Sequence, residues 1–241
     1  MIASTRGIVL HTTPYSDSTV IAKIYTEEFG LRSYLVNAAH SKRSGTKSRL
    51  LQPLSLVELV VYEKERSQLQ RVKEIRTEIH FSNAQDISRT SILLFLDEVL
   101  CHVIREEEKN PLLFEFLHSS IQILDLLPGS TANFHLSFLV QLSKYLGFFP
   151  QGNYTSFCPL FDLKAGEFIP ERPIHPNYLE ARLSERLFQL MQVSYDDSST
   201  LSLTAVERKE LLKALLYYYS THIDSFPALK SHLVLEEVLG E

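Results

Sequence analysis

Residues 18–39 read STVIAKIYTEEFGLRSYLVNAA, and this stretch decides how the front of the chain folds. Val20, Ala22 and Ile24 alternate with Ile21, Lys23 and Tyr25, the period of a strand whose successive side chains face opposite ways. Gly30 closes a tight turn after Glu28-Phe29. Leu31, Ser33 and Leu35 then alternate with Arg32, Tyr34 and Val36. Two alternating runs joined this tightly predict a hairpin.

Further strands lie on either side of it. Arg6–His11 is a short apolar run in which Gly7 marks a bulge or a close approach. Pro14-Tyr15-Ser16-Asp17 reads as a turn. Leu54–Glu63 is strongly β-prone, with Val57, Leu59 and Val61 on one face, and a polar turn at Lys64–Ser67 leads into a last strand, Gln68–Arg76. Five short strands in the first 80 residues predict a small closed barrel, because closure removes edges.

After Phe81 the period becomes helical. Ile92, Leu96, Val99 and Val103 share one face, as do Leu113, Leu117, Ile121 and Leu124. Asn110 before Pro111 is an N-cap signal, and Pro128-Gly129 ends that helix. Leu139, Leu142 and Leu146 give another stripe, stopped by Gly147 and Pro150. Residues 151–177 have no helical period and are rich in Gly, Pro and aromatics. Leu179–Val193 resumes a helix, Thr204 with Glu207 forms a capping box, and Leu229–Leu239 predicts a short terminal helix. The expected organisation is a barrel domain at 1–80 and a helical domain at 81–241, with an irregular insertion at about 151–177.

Composition narrows the function. The 241 residues are 44% hydrophobic and 22% charged, ordinary for a globular protein of two domains. No apolar run reaches the roughly 18 residues of a membrane helix, and Ile8-Val9-Leu10 is too short for a signal peptide, so the expected compartment is the cytoplasm. The net charge of -5 is unevenly spread: residues 1–80 hold 12 Lys and Arg against 8 Asp and Glu, a balance of +4, whereas residues 81–241 hold 12 against 21, a balance of -9. Catalytic motifs fail throughout. Gly45-Thr46-Lys47-Ser48 lacks both the upstream Gly and the Gly-Lys adjacency of a phosphate loop. Neither H-E-x-x-H, G-x-S-x-G nor G-x-G-x-x-G occurs. Adjacent Cys101 and His102 project about 100° apart on a helix and do not chelate one metal. No enzyme activity is expected.

The most informative segment is Ser41-Lys42-Arg43-Ser44-Gly45-Thr46-Lys47-Ser48-Arg49, with Lys42, Arg43, Lys47 and Arg49 and no acid. Such a loop suits a phosphate backbone, whose counterions its cations displace. The neighbouring strands add Arg6, Lys23 and Arg32, with Tyr15, Tyr25 and Tyr34 as stacking candidates. The plain alternative is a solvated loop with its tyrosines in the core.

Gly7-Ile8-Val9-Leu10, Tyr15-Ser16-Asp17-Ser18, Thr26-Glu27-Glu28-Phe29-Gly30, the basic loop from Ala39 to Arg49 and Leu51-Gln52-Pro53-Leu54 follow one another in order. With Leu146-Gly147-Phe148-Phe149-Pro150 ahead of Cys158, this pattern resembles the RecO family of bacterial recombination mediators over essentially the whole chain. The resemblance implies an α+β multidomain protein: a five-stranded OB-fold barrel, an α-helical domain and a degenerate zinc-ribbon-like insertion. It implies a DNA repair function without turnover: binding single- and double-stranded DNA, annealing complementary strands, and acting with RecR, and in some bacteria RecF, to load RecA onto DNA coated by the single-strand binding protein SSB. The DNA-contacting role then falls on Lys42, Arg43, Lys47 and Arg49, with Arg6, Lys23, Arg32 and Tyr34 on the barrel face. The acidic, Phe-terminated SSB tail would need an apolar pocket with a basic rim, for which Arg182, Arg186, Arg208, Lys209 and Lys213 are candidates. Many relatives bind zinc through two Cys pairs in the insertion. Here only Cys158 remains, Phe161 stands where its partner belongs, and Cys158 with His175 supplies two ligands where zinc takes about four. No metal is expected, with Phe157, Leu160, Phe161, Phe168 and Ile169 holding the insertion instead. The alternative function is a protein-interaction adaptor that keeps the barrel and has little DNA affinity.

Overall fold

In the computed structural model, which describes residues 1–37, 50–64, 67–79, 81, 86–105, 107–193 and 200–240, the expected strands are present. They are β1 (Ile2–Ser16), β2 (Thr19–Thr26), β3 (Gly30–Asn37), β4 (Leu56–Tyr62) and β5 (Leu69–Thr77). They close in the order β1-β2-β3-β5-β4, with β4 returning to β1. β3 and β5 pair in parallel, through Ser33↔Leu69 to Leu35↔Arg71, and the other barrel ladders are antiparallel. This is an OB-fold barrel.

Strand alternation selects the interior. Val9, Ala22, Ile24, Tyr34, Val36, Val57, Leu59 and Val61 form its buried core. Gly7 points the same way and is a close-approach position: a Cβ there would stand 2.7 Å from Ile24 Cγ2 and 3.1 Å from Leu59 Cδ1. The bulges of β1 lie elsewhere, between Val9 and His11 and between Pro14 and Ser16. Pro14 is therefore inside the strand rather than in a turn. A bulge tolerates its missing N–H, and the reversal falls on Asp17 and Ser18.

Six helices are formed among the described residues: α1 (Ile87–Val103), α2 (Pro111–Leu126), α3 (Phe134–Tyr145), α4 (Ala181–Gln192), α5 (Ala205–His222) and α6 (Ser231–Val238). The sequence signals for their ends hold. Asn110 Oδ1 accepts the Leu113 N–H at 3.1 Å, and Thr204 with Glu207 completes the capping box of α5. Gly147, at φ +87°, ends α3: the Gly147 N–H reaches the Lys144 carbonyl and the Phe148 N–H reaches that of Ser143. That is a Schellman motif, which needs a left-handed residue. No described helix is long and apolar enough to cross a membrane.

The chain forms two compact units, residues 1–82 with 96–122, and residues 83–95 with 123–241. In the first, the end of α1 and most of α2 accompany the barrel. Ile8, Leu10 and Tyr25 point out of the barrel yet are buried, and the Tyr25 ring lies 6.1 Å from that of Phe114 on α2. In the second, residues 151–177, expected to be irregular, contribute to a small antiparallel sheet. Its strands are β6 (Leu160–Asp162), β7 (Glu167–Ile169) and β8 (Tyr178–Leu179), in the order β7-β6-β8. Phe161 is fully buried there, 4.9 Å from the Phe168 ring and 5.9 Å from that of Tyr218. Leu160 and Phe168 are buried as expected. Phe157 is 83% exposed, because it precedes β6 in a bend and faces away from that cluster.

His135 on α3 is fully buried against the edge of Phe95, and neither ring nitrogen has a hydrogen-bond partner among the described residues. Burial, helped by the charge of Arg208, lowers its pKa from 6.5 to about 3. The unfolded chain therefore takes up a proton below pH 6.5 that the folded chain refuses until about pH 3. Stability from this group is intact above pH 6.5 and falls by up to about 1.4 kcal/mol per pH unit below it. His135→Leu is expected to flatten acid destabilisation between pH 6 and 4, measured by urea unfolding at each pH. An unchanged slope would refute the assignment. Gly7→Ala is expected to lower stability by about 1–3 kcal/mol through crowding of Ile24 and Leu59, read as a fall in Tm.

Candidate nucleic-acid interface

An OB-fold barrel ordinarily offers ligands the outer face of its second and third strands and the neighbouring loops. In this chain part of that region is already used. Arg6 forms a bidentate pair with Glu27, Nε to Oε2 at 2.9 Å and Nη2 to Oε1 at 2.8 Å, and a further ion pair with Glu115 of α2. Its guanidinium lies 5.2 Å from the centre of the Phe114 ring. The Glu27 hydrogen bonds and the neighbouring carboxylates hold the Arg6 pKa above its ordinary value, and the same contact lowers that of Glu27. Arg32 sits between Glu63 at 3.8 Å and Glu107 at 3.4 Å. Both are expected DNA contacts, and both are ion-paired within the first unit.

The other barrel candidates divide. Lys23 is exposed, on the rim of a cleft of about 460 Å³ lined also by Leu10, His11, Leu31, Cys101, Ile104 and Arg105. Tyr34 requires correction. It is fully buried in the barrel core because β3 turns Tyr34 and Val36 inward, and it has no ring face for a base. Burial pushes its phenol pKa well above the usual value. Tyr25 is likewise buried, whereas Tyr15 is 64% exposed. Lys42, Arg43, Lys47 and Arg49 lie outside the described residues.

The opposite outer face of the barrel is open and basic. A groove of about 560 Å³ is lined by Asn37 at the end of β3, by Tyr62 and Lys64 at the end of β4, and by Arg71 and Lys73 on β5. Lys64, Arg71 and Lys73 are exposed, and among the described residues they make no ion pair and no carboxylate lines the groove. Their direction follows from the strand. Gln70 and Val72 turn inward, so Arg71 turns outward, and Lys73 is the extra residue opposite the step from Val60 to Val61. A bulge re-aims the side chain of its extra residue. Gln70 is buried and fixes the β4–β5 turn: its Nε2 donates to the carbonyls of Lys64 and Ser67, both at 2.8 Å, and its Oε1 accepts the Lys64 N–H at 3.0 Å. Tyr62, 38% exposed, offers a ring beside these cations. Sequence reading passed over Lys64, Arg71 and Lys73. The signal was the alternation in Leu69–Lys73, which places every second residue outside. Asn37 lines the groove, and the basic loop follows it in sequence.

In the second unit, the expected basic rim is largely neutralised by its own fold. Arg182 pairs with Glu210 at 2.9 Å and Glu207 at 3.7 Å, and Arg186 with Glu207 at 3.2 Å. Lys209 pairs with Glu236 at 2.9 Å, and Arg208 donates to the Leu203 carbonyl at 3.0 Å. Lys213 is exposed. Hydrogen bonds from the Thr204 backbone, from Arg186 and from the Thr204 hydroxyl lower the pKa of Glu207.

Cys158 lacks a thiolate partner, because position 161 is a buried phenyl ring. His175 Nε2 is 3.2 Å from Asp162 Oδ2, whose Oδ1 in turn accepts the N–H groups of Lys164 and Ala165. Among the described residues, no group of three or more His, Cys, Asp or Glu is placed to hold a metal ion.

Comparison with known proteins agrees along the whole chain. The family profile described as recombination protein O, N terminal, matches residues 1–79, and its C-terminal counterpart matches residues 84–232. The protein named DNA repair protein RecO in Phocaeicola vulgatus is 38% identical over 242 residues, covering 100% of both chains. The proteins of the same name in Flavobacterium psychrophilum and Porphyromonas gingivalis are 37% identical at 100% coverage and 34% identical at 98% coverage of both chains.

Proposed function

The chain belongs to the RecO family of DNA repair proteins, and we propose that it is a non-enzymatic mediator that binds DNA through the open face of its barrel. One observation carries this reading: a groove brings together Lys64, Arg71 and Lys73, with Tyr62 at its edge and no carboxylate lining it among the described residues, and it includes Asn37, which the basic loop of Lys42, Arg43, Lys47 and Arg49 follows in sequence. Phosphates pair with the cations and displace their own counterions, and a base stacks on Tyr62. Neutralising two complementary strands lowers their mutual repulsion and lets them anneal. Annealing of single-stranded DNA, binding of duplex DNA and loading of RecA onto SSB-coated DNA together with RecR follow as the proposed activity, in the cytoplasm. The acidic tail of SSB is a partner at the α4–α5 surface, where it must compete with Glu207 and Glu210 for Arg182 and Arg186.

Fluorescence anisotropy with a labelled single-stranded oligonucleotide across a salt series tests the DNA reading. Lys64→Glu/Arg71→Glu/Lys73→Glu is expected to weaken binding at least about 10-fold and to reduce the salt slope by about 2, the value for three lost contacts to a single strand. Lys42→Glu/Arg43→Glu/Lys47→Glu/Arg49→Glu is expected to act in the same direction. Wild-type affinity in both variants removes DNA from this face. Absence of binding by wild type at low salt favours the adaptor instead.

The insertion is proposed to hold together without zinc. Metal analysis of protein purified without a His tag is expected to find less than one zinc per ten chains, and stoichiometric zinc would overturn this.

A further inference from the structure

Around the β2–β3 turn, Arg6, Arg32 and Lys109 meet five carboxylates, those of Glu27, Glu28, Glu63, Glu107 and Glu115. Among these ion-paired groups the carboxylates outnumber the cations by two. The two extra carboxylates come from the helical segment: Glu107 precedes α2, and Glu115 lies on it. Neither is demanded by packing. Their side chains are 81% and 52% exposed, and exposed ion pairs contribute little to stability. Arg6 already has both oxygens of Glu27 and the Phe114 ring, and Arg32 has Glu63. A carboxylate resting on a guanidinium occupies the place that a phosphate oxygen takes when Arg binds a nucleic-acid backbone.

We propose that Glu107 and Glu115 act as phosphate mimics that hold closed a second nucleic-acid surface, formed by Arg6 and Arg32, which fits a single strand. The inference rests on the reading that the barrel binds DNA. It assigns the two acids the role of keeping a strand off this end of the barrel and on the open β3–β5–β4 face. Removing both carboxylates leaves Arg6 with Glu27 and Arg32 with Glu63 as ion-pair partners.

The test is anisotropy of labelled oligothymidine on the full chain in a salt series. Glu107→Gln/Glu115→Gln is expected to bind about 3–10-fold more tightly than wild type at low salt, with a salt slope steeper by about 1. Glu171→Gln/Glu185→Gln changes the net charge identically at exposed positions in the other unit and is expected to bind like wild type. Adding Arg32→Gln to Glu107→Gln/Glu115→Gln is expected to abolish most of the gain. An equal gain in the charge-matched control, or a gain that survives Arg32→Gln, shows a general charge effect and overturns the proposal. Unchanged binding by Glu107→Gln/Glu115→Gln beside a wild type that binds also overturns it, while leaving the DNA reading intact. No binding by either protein overturns both.

Discussion

Strand β1 is hydrogen-bonded along both edges, and the barrel depends on that double pairing. It meets β2 from Gly7↔Thr26 to Ser16↔Thr19 and β4 from Ile2↔Tyr62 to Ile8↔Leu56. Gly7 and Ile8 lie in both ladders, held by β2 on one side and β4 on the other. Only a residue without Cβ clears Ile24 there. Closure removes the edges and leaves outer faces as the places where anything can bind. One such face then receives the Phe114 ring of α2 over Tyr25. The face made by β3, β5 and β4 keeps its polar side chains in solvent.

That division decides which cations are available. A net charge of -5 says little about a nucleic-acid partner when acids and bases are segregated. Arg6 and Arg32 look equivalent to Arg71 in sequence, since each lies in a strand of the same barrel. They differ in neighbours: carboxylates of the turn, of the end of β4 and of the helical segment engage the first two, and among the described residues none lines the groove around the third. Electrostatic availability here is a tertiary property.

Much of the fold was legible for a local reason. Period-2 alternation around Gly30, the Asn110-Pro111 start, the Thr204-to-Glu207 box and the Gly147 stop each act within a few residues, where sequence and structure are coupled directly. The candidate site was less legible because its facts are non-local. Tyr34 and Arg71 both belong to strands, yet one faces the core and the other water. Alternation within β3 does not say which of its two faces is the inside until closure selects one. The pairing of Arg6 with Glu115, separated by 109 residues, has no local signature at all. Nor did the β-structure of the insertion, whose strands of three, three and two residues are too short to show a period.

The insertion shows what such short strands require. Eight strand residues cannot sustain a sheet by backbone pairing alone. A four-thiolate zinc site would supply that order locally, from ligands within the insertion itself. Burial supplies order to this sheet, and the burying surfaces belong to helices: Phe168 meets Phe188 of α4 at 5.9 Å, and Phe161 meets Tyr218 of α5. Gly166 admits the Tyr218 ring closely, since a Cβ there would stand 2.8 Å from its hydroxyl oxygen. That hydroxyl in turn donates to the Phe148 carbonyl at 2.7 Å, just beyond the end of α3. Tyr218 thus ties the sheet to the α3 terminus, and the insertion packs as part of the helical unit. These aromatic contacts couple the folding of the insertion to that of α4 and α5.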